Sequence, residues 1–186
     1  NTAFEACLID QCAPTLAGVK PGSLFSYTSD NGENITDSLR YWNRQLAGKG
    51  LCLLRLKQTR KTCLILLLRP TAVTRILDDP NVSLFLVRQG YGGCAKPADY
   101  MAMLRQRMNG APPFPHEIGI FLGYPLNDVV GFIANAGRNA RCCGCWKVYG
   151  EPSGAKRCFQ QFKKCTSIYK RLFDGGKTVM QLAVAA

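Results

Sequence analysis

No run of apolar residues in this chain approaches the ~18–20 that a membrane-crossing helix needs, and the first residues do not pair a basic segment with an apolar core. Neither a transmembrane segment nor a signal peptide is therefore expected. Asn1 stands where an initiating methionine would, which leaves room for residues ahead of it. The common catalytic strings are missing too. There is no HExxH zinc motif and no paired CxxC…CxxC. Tyr149-Gly-Glu-Pro-Ser-Gly154 links an expected strand to an expected helix but does not match a phosphate-binding GxxxxGKS/T loop, and Glu151 would repel a phosphate there. Internal repeats, low-complexity stretches and linkers are absent. Histidine is reduced to one copy, His116, so a single side chain has an unperturbed pKa near neutrality. Without a secretion signal the ten cysteines read as reduced thiols or ligands rather than a disulfide framework, and a cytoplasmic location is expected.

What is present fits a globular protein. With 186 residues, 47% hydrophobic and 19% charged, one domain spanning 1–186 is the default, large enough for a real core. The net charge of +12 is unevenly placed. Residues 1–39 are acidic on balance, 40–75 carry nine bases and no acids, 76–137 are near neutral, and 138–186 carry ten bases against two acids.

Periodicity and breakers give an ordered set of expected elements. A short helix from Thr2 to Ile9 ends at Cys12-Ala-Pro14, and Ser23 to Tyr27 forms a strand. Asp30-Asn-Gly32 is a turn. A helix through Ile35, Leu39, Trp42 and Leu46 is capped by Asn34 or Thr36. Leu51–Leu56 and Thr62–Leu68 form a β-hairpin, with Cys52 and Cys63 as small core residues and Arg55, Lys57, Arg60 and Lys61 around its turn. Helices follow from Pro70, from Asn81 and from Pro97 to Met108. A long helix from Ser153 to Phe173 has Cys158, Phe159, Phe162, Cys165, Ile168, Tyr169, Leu172 and Phe173 on one face. Its other face carries Lys156, Arg157, Lys163, Lys164, Lys170 and Arg171, in pairs seven residues apart. Val179–Val184 reads as a closing strand.

The stretch from Phe114 to Tyr149 holds both His116 and the densest thiol cluster, Cys142, Cys143 and Cys145. Ile118–Leu122 is an apolar run of strand length, Leu126, Val129, Val130 and Ile133 recur at helical spacing, and Trp146–Tyr149 reads as a second strand. Strand, helix and strand within about 30 residues suggest a parallel βαβ unit. The fold class expected is α/β: a mixed sheet of about five to six strands, including one hairpin, with helices packed over it. PHEIGIFLGYPLNDVVGFI, CCGCWKVYG and the later KKC, together with CAPTLAGVKPGSLF near the start, resemble a family of small proteins from anaerobic, largely clostridial bacteria, classed as a domain of unknown function. The resemblance covers nearly the whole chain. It implies a one-domain bacterial protein and brings no activity or catalytic residues with it.

Three chemistries are open. Cys142, Cys143 and Cys145 can serve a metal or redox site, zinc or an iron–sulfur cluster, with a fourth ligand from His116, Cys12, Cys94 or Cys165; Arg138, Arg141 and Lys147 nearby favour thiolate. His116 can pair with Cys12 or with a member of the 142–145 cluster as a Cys–His nucleophile. Glu117 is adjacent, although on a strand it would point to the opposite face. The six cations of the long helix can bind RNA, another polyanion or an acidic protein, with Tyr27, Tyr41, Trp42 and Tyr91 as stacking surfaces. Each site competes with an ordinary structural role: packed thiols, a hydrogen-bonded histidine, a solvated cationic face.

Overall fold

The computed structural model describes residues 2–28, 34–60 and 62–185. The Asp30–Gly32 turn and Lys61 lie outside the described residues.

The central element is β3 (Thr62–Leu68), flanked by β1 (Gly22–Thr28) and β2 (Cys52–Gln58) in the order β1-β3-β2, with both pairings antiparallel. The unbroken apolar sequence of β3 follows from its position. Cys63, Ile65 and Leu67 enter one hydrophobic cluster, while Leu64, Leu66 and Leu68 enter a second on the opposite face. Side chains alternate along a strand, so a strand covered on both faces must be apolar at every position.

The first cluster is built on α1 (Ala3–Leu16) and α2 (Ile35–Ala47), with Phe4, Leu8, Cys12, Leu39 and Trp42 packed on the sheet. The second is built on α3 (Pro70–Leu77), α4 (Pro80–Leu86), a π-helical turn (Val87–Tyr91), α5 (Pro97–Met108), α6 (Ile118–Phe121) and α7 (Leu126–Ala134). A two-stranded hairpin, β4 (Cys142–Cys143) and β5 (Lys147–Val148), follows, then α8 (Pro152–Asp174) and α9 (Val179–Leu182).

The open edge of β2 is covered by side-chain amides. Asn43 Nδ2 donates to Leu53 O (2.9 Å) while Leu53 N donates to Asn43 Oδ1 (2.7 Å), and Asn109 Nδ2 donates to Leu56 O (2.7 Å). Groups that would otherwise recruit another strand are thereby occupied. Arg69, 4% exposed, donates to the carbonyls of Thr15 (2.8 Å), Leu16 (2.8 Å), Lys49 (3.4 Å) and Val184 (2.7 Å). One guanidinium thus joins the end of α1, the α2–β2 turn and the C-terminal segment.

Several expectations are corrected. The sheets are small, three and two strands, not one of five to six. No parallel pairing occurs among the described residues, so the βαβ unit is absent. Ile118–Phe121 is a helical turn rather than a strand. Gly123, at φ 79°, closes it: Tyr124 N donates to Gly119 O and Gly123 N to Ile120 O, the two bonds of a glycine-terminated helix end. Val179–Leu182 is helical, capped by Thr178 through Gln181 N. Helix α1 runs on through Pro14; interior proline costs about 3 kcal/mol, but the segment around it buries Cys12, Ala13 and Leu16 completely. Residue 79, not Asn81, caps α4: the Asp79 side chain accepts from Asn81 N.

Candidate functional site

The segment around His116 and the thiol hairpin is held by Asp128. This carboxylate, 3% exposed, projects from α7. Its Oδ2 accepts from Trp146 Nε1 (2.7 Å), and its Oδ1 accepts from Tyr149 N and Gly150 N (2.8 Å each). Three donors satisfy a buried carboxylate that would otherwise be costly. They fix the hairpin against α7, and Gly131 lets the Tyr149 ring lie where a β-carbon would stand. On the other side the hairpin rests on α8: Trp146 meets Phe159 edge-on (4.5 Å between ring centres) and stacks on Tyr124 (4.9 Å). Gly144 is required there, because a β-carbon would overlap the edge of the Phe159 ring.

Between α6, α7 and the hairpin lies a cavity of about 330 Å³. Ile118, Tyr124, Val129, Phe132 and Trp146 form apolar walls, and His116, Cys143, Asp128 and Lys147 are the polar groups that reach it. His116 sits in the turn before α6, with its ring against Phe114 (5.2 Å) and Phe132 (4.8 Å). No hydrogen bond to its ring nitrogens occurs among the described residues. Lys147, paired opposite Cys143 in the hairpin, donates to Gly137 O (2.6 Å), which fixes a positive charge in the wall.

The other expected site residues are placed elsewhere. Cys12 is fully buried in the first cluster, and burial pushes its thiol well above the ordinary range. Glu117 is 1% exposed and accepts from Arg107 Nε (2.6 Å) and Tyr91 Oη (3.1 Å). That ion pair ties α5 to the start of α6, and neither partner lines the His116 cavity. Burial and the Glu117 charge push the Tyr91 hydroxyl strongly up.

Cys142, Cys143 and Cys145 do not converge. Cys143 faces the His116 cavity, whereas Cys145 lines a second cavity against α1 and α8. Burial pushes the Cys145 thiol up against the pull of Lys20. Among the described residues no group of three or more His, Cys, Asp or Glu side chains is placed to hold a metal ion, and all ten cysteines are free thiols.

The six cations of α8 are all exposed. Lys163 and Lys170 border the second cavity, and Lys170 pairs with Asp10 at 2.7 Å. Lys156, Arg157, Lys164 and Arg171 lie outside it. Of the aromatics considered for base stacking, Tyr27, Trp42 and Tyr91 are buried and only Tyr41 is exposed.

Residue patterns had not singled out Asp128 and Lys20. Asp128 gave one legible signal, an acid inside the apolar helical pattern Leu126–Ile133. Lys20 gave only its isolation as the sole base among residues 1–39.

The class this arrangement defines is a mixed helix-and-sheet protein, with no helix among the described residues long and apolar enough to cross a membrane. Residues 8–183 match the family described as a protein of unknown function, DUF3793, and the chain belongs to that family. No curated protein and no solved structure matches the chain.

Proposed function

We propose that this protein carries out thiol chemistry at Cys143, with His116 as its proton acceptor, on a small apolar substrate bearing an electrophilic carbonyl. The observation that carries the reading is that His116 and Cys143 line one apolar cavity, whereas of the other candidate thiols Cys12 is sealed in the core, Cys145 lines the second cavity and Cys142 lines neither. A two-residue nucleophile needs only this juxtaposition; a metal site needs three or four converging donors. In the proposed step Cys143 Sγ attacks the carbonyl carbon and its proton passes to His116. The leaving group departs with that proton, leaving a thioester on Cys143. Water or an acceptor nucleophile then cleaves the thioester and restores the thiol. Lys147 supplies positive charge beside the oxyanion that forms. Such a thiol suits a reducing compartment such as the cytoplasm.

The test is single-turnover acylation by a short-chain p-nitrophenyl ester, with the adduct located by mass spectrometry. A one-equivalent burst with the acyl group on Cys143, slowed roughly 100-fold in His116→Gln, is expected. Labelling of the exposed Cys145 at the same rate as Cys143 would sink the proposal.

A second reading, binding of RNA or another polyanion by α8, draws on the exposure of Lys156, Arg157, Lys164 and Arg171, which have no ion-pair partner among the described residues. It requires binding that weakens steeply with salt; no binding at low salt removes it.

A further inference from the structure

The second cavity, about 490 Å³, opens along the seam between α1 and α8. It differs in chemistry from the His116 cavity. Phe159 and Phe162 supply aromatic lining, Lys163, Thr166 and Ser167 of α8 add polar groups, and Lys20 lines it from the segment before β1. Position along α8 explains the set: Phe159, Lys163, Thr166 and Lys170 fall three or four residues apart, on one side of a helix.

Lys20 is the informative member. It is half-buried, and its ammonium stands over the rings of Tyr124 (5.4 Å) and Phe162 (5.8 Å). Burial lowers its pKa, and the groups that favour its charge are the thiols of Cys145, Cys12 and Cys158 rather than a carboxylate. Of the three lysines at this cavity, only Lys170 has an acidic partner, Asp10. Lys20 and Lys163 have none among the described residues. A partly desolvated cation without an anion is costly unless a counter-charge arrives, and here it faces an open cavity beside a second free ammonium and two hydroxyls.

We propose that this cavity binds a small phosphorylated molecule with a flat apolar body, the phosphate held by Lys20, Lys163 and the Thr166 and Ser167 hydroxyls and the body against Phe159 and Phe162. A phosphate oxyanion uses several point-charge and hydroxyl donors at once, which suits ammonium groups, whereas a planar carboxylate is better matched by an arginine fork, and none is present. This site is separate from the proposed Cys143 chemistry and does not depend on it.

Calorimetric titration with phenyl phosphate tests it, with phenol, benzoate and inorganic phosphate as comparisons. Phenyl phosphate should bind saturably and at least roughly tenfold more tightly than any comparison compound. Lys163→Gln, an exposed change that leaves the core untouched, and Lys20→Gln should each weaken it at least tenfold, while Lys156→Gln/Arg157→Gln should leave it unchanged. Trp146, in contact with Phe159 and Tyr124, should report binding through its fluorescence. Equal affinity for inorganic phosphate would overturn the role of the aromatic wall. Absence of saturation, or an equal loss in the Lys156/Arg157 variant, would overturn the site.

Discussion

Replacing Asp128 tests whether one carboxylate assembles the His116 cavity. Asp128 accepts three hydrogen bonds while 3% exposed. Bonds to a charged acceptor contribute about 1.5–3 kcal/mol each when probed singly, but these three share one side chain and do not add. Asp128→Ala leaves an indole N–H and two backbone N–H groups without their acceptor, so a loss of roughly 3–5 kcal/mol is expected. At about 2–4 °C per kcal/mol for a chain of this length, Tm should fall by roughly 10 °C. Asp128→Asn is more diagnostic. Its remaining oxygen can serve Tyr149 N and Gly150 N, but its NH₂ then faces Trp146 Nε1–H, donor against donor. The asparagine variant should lose about half as much, and adding Trp146→Phe should cost less in that background than in the wild type. Urea unfolding followed by circular dichroism measures all four corners of the cycle. An Asp128→Ala loss below about 1 kcal/mol, or additive double variants, would refute the claim that this carboxylate fixes the hairpin to α7.

Two further perturbations probe the frame around the sites. Arg69→Met removes the donor to four carbonyls and should cost about 3 kcal/mol; Arg69→Lys should recover little of it, because one ammonium cannot span that fork, and a lysine variant as stable as wild type would show the carbonyls to be satisfied otherwise. Burial pushes the Cys52 thiol from 9.0 up to about 11. The unfolded chain therefore ionises first, so this contribution to stability is intact below pH 9, falls between pH 9 and 11 by about 2 kcal/mol and then levels off. Subtracting the stability–pH curve of Cys52→Ala from that of wild type should isolate the fall, and parallel curves would refute it.

The first two-thirds of the fold was largely legible because its signals are local. Two apolar runs joined by a polar link specify the β2–β3 hairpin, Asn34, one of the two expected N-caps, caps α2, and Pro70 and Pro97 open α3 and α5. Long-range burial decided the failures. Ile118–Leu122 is apolar throughout, and periodicity cannot separate a buried strand from a buried helical turn of that length; Gly123 ahead of Pro125 was the available signal for a helix end. Pro14 read as a breaker because proline is costly inside helices, yet complete burial of its neighbours outweighs that cost. Within the candidate site, His116 and Cys143 were both named from the sequence, but their common cavity depends on Asp128 and on the contact between Gly144 and Phe159, which join residues far apart in the chain.

The geometry of the Cys142–Cys145 turn also governs what metal can do here. Alternation along β4 turns Cys142 and Cys143 to opposite faces, and the turn that follows, seated on Phe159 at Gly144, brings Cys145 to the second cavity while Cys143 lines the first. Gathering three thiolates on one ion would require the turn to rearrange, which strains both of its anchors, the Trp146–Phe159 contact with α8 and the Trp146–Asp128 hydrogen bond with α7. Zinc therefore has to overcome hairpin rearrangement before it can use these ligands together, whereas a structural zinc site contributes directly to folding. Reduced protein titrated with zinc should show weak binding that does not raise Tm, and chelator should leave Trp146 emission unchanged. Stoichiometric zinc that raises Tm, and is lost equally in Cys143→Ser and Cys145→Ser, would mean that the two thiols converge after all. The division of the turn between two cavities, and with it the Cys143–His116 pairing, would then have to be abandoned.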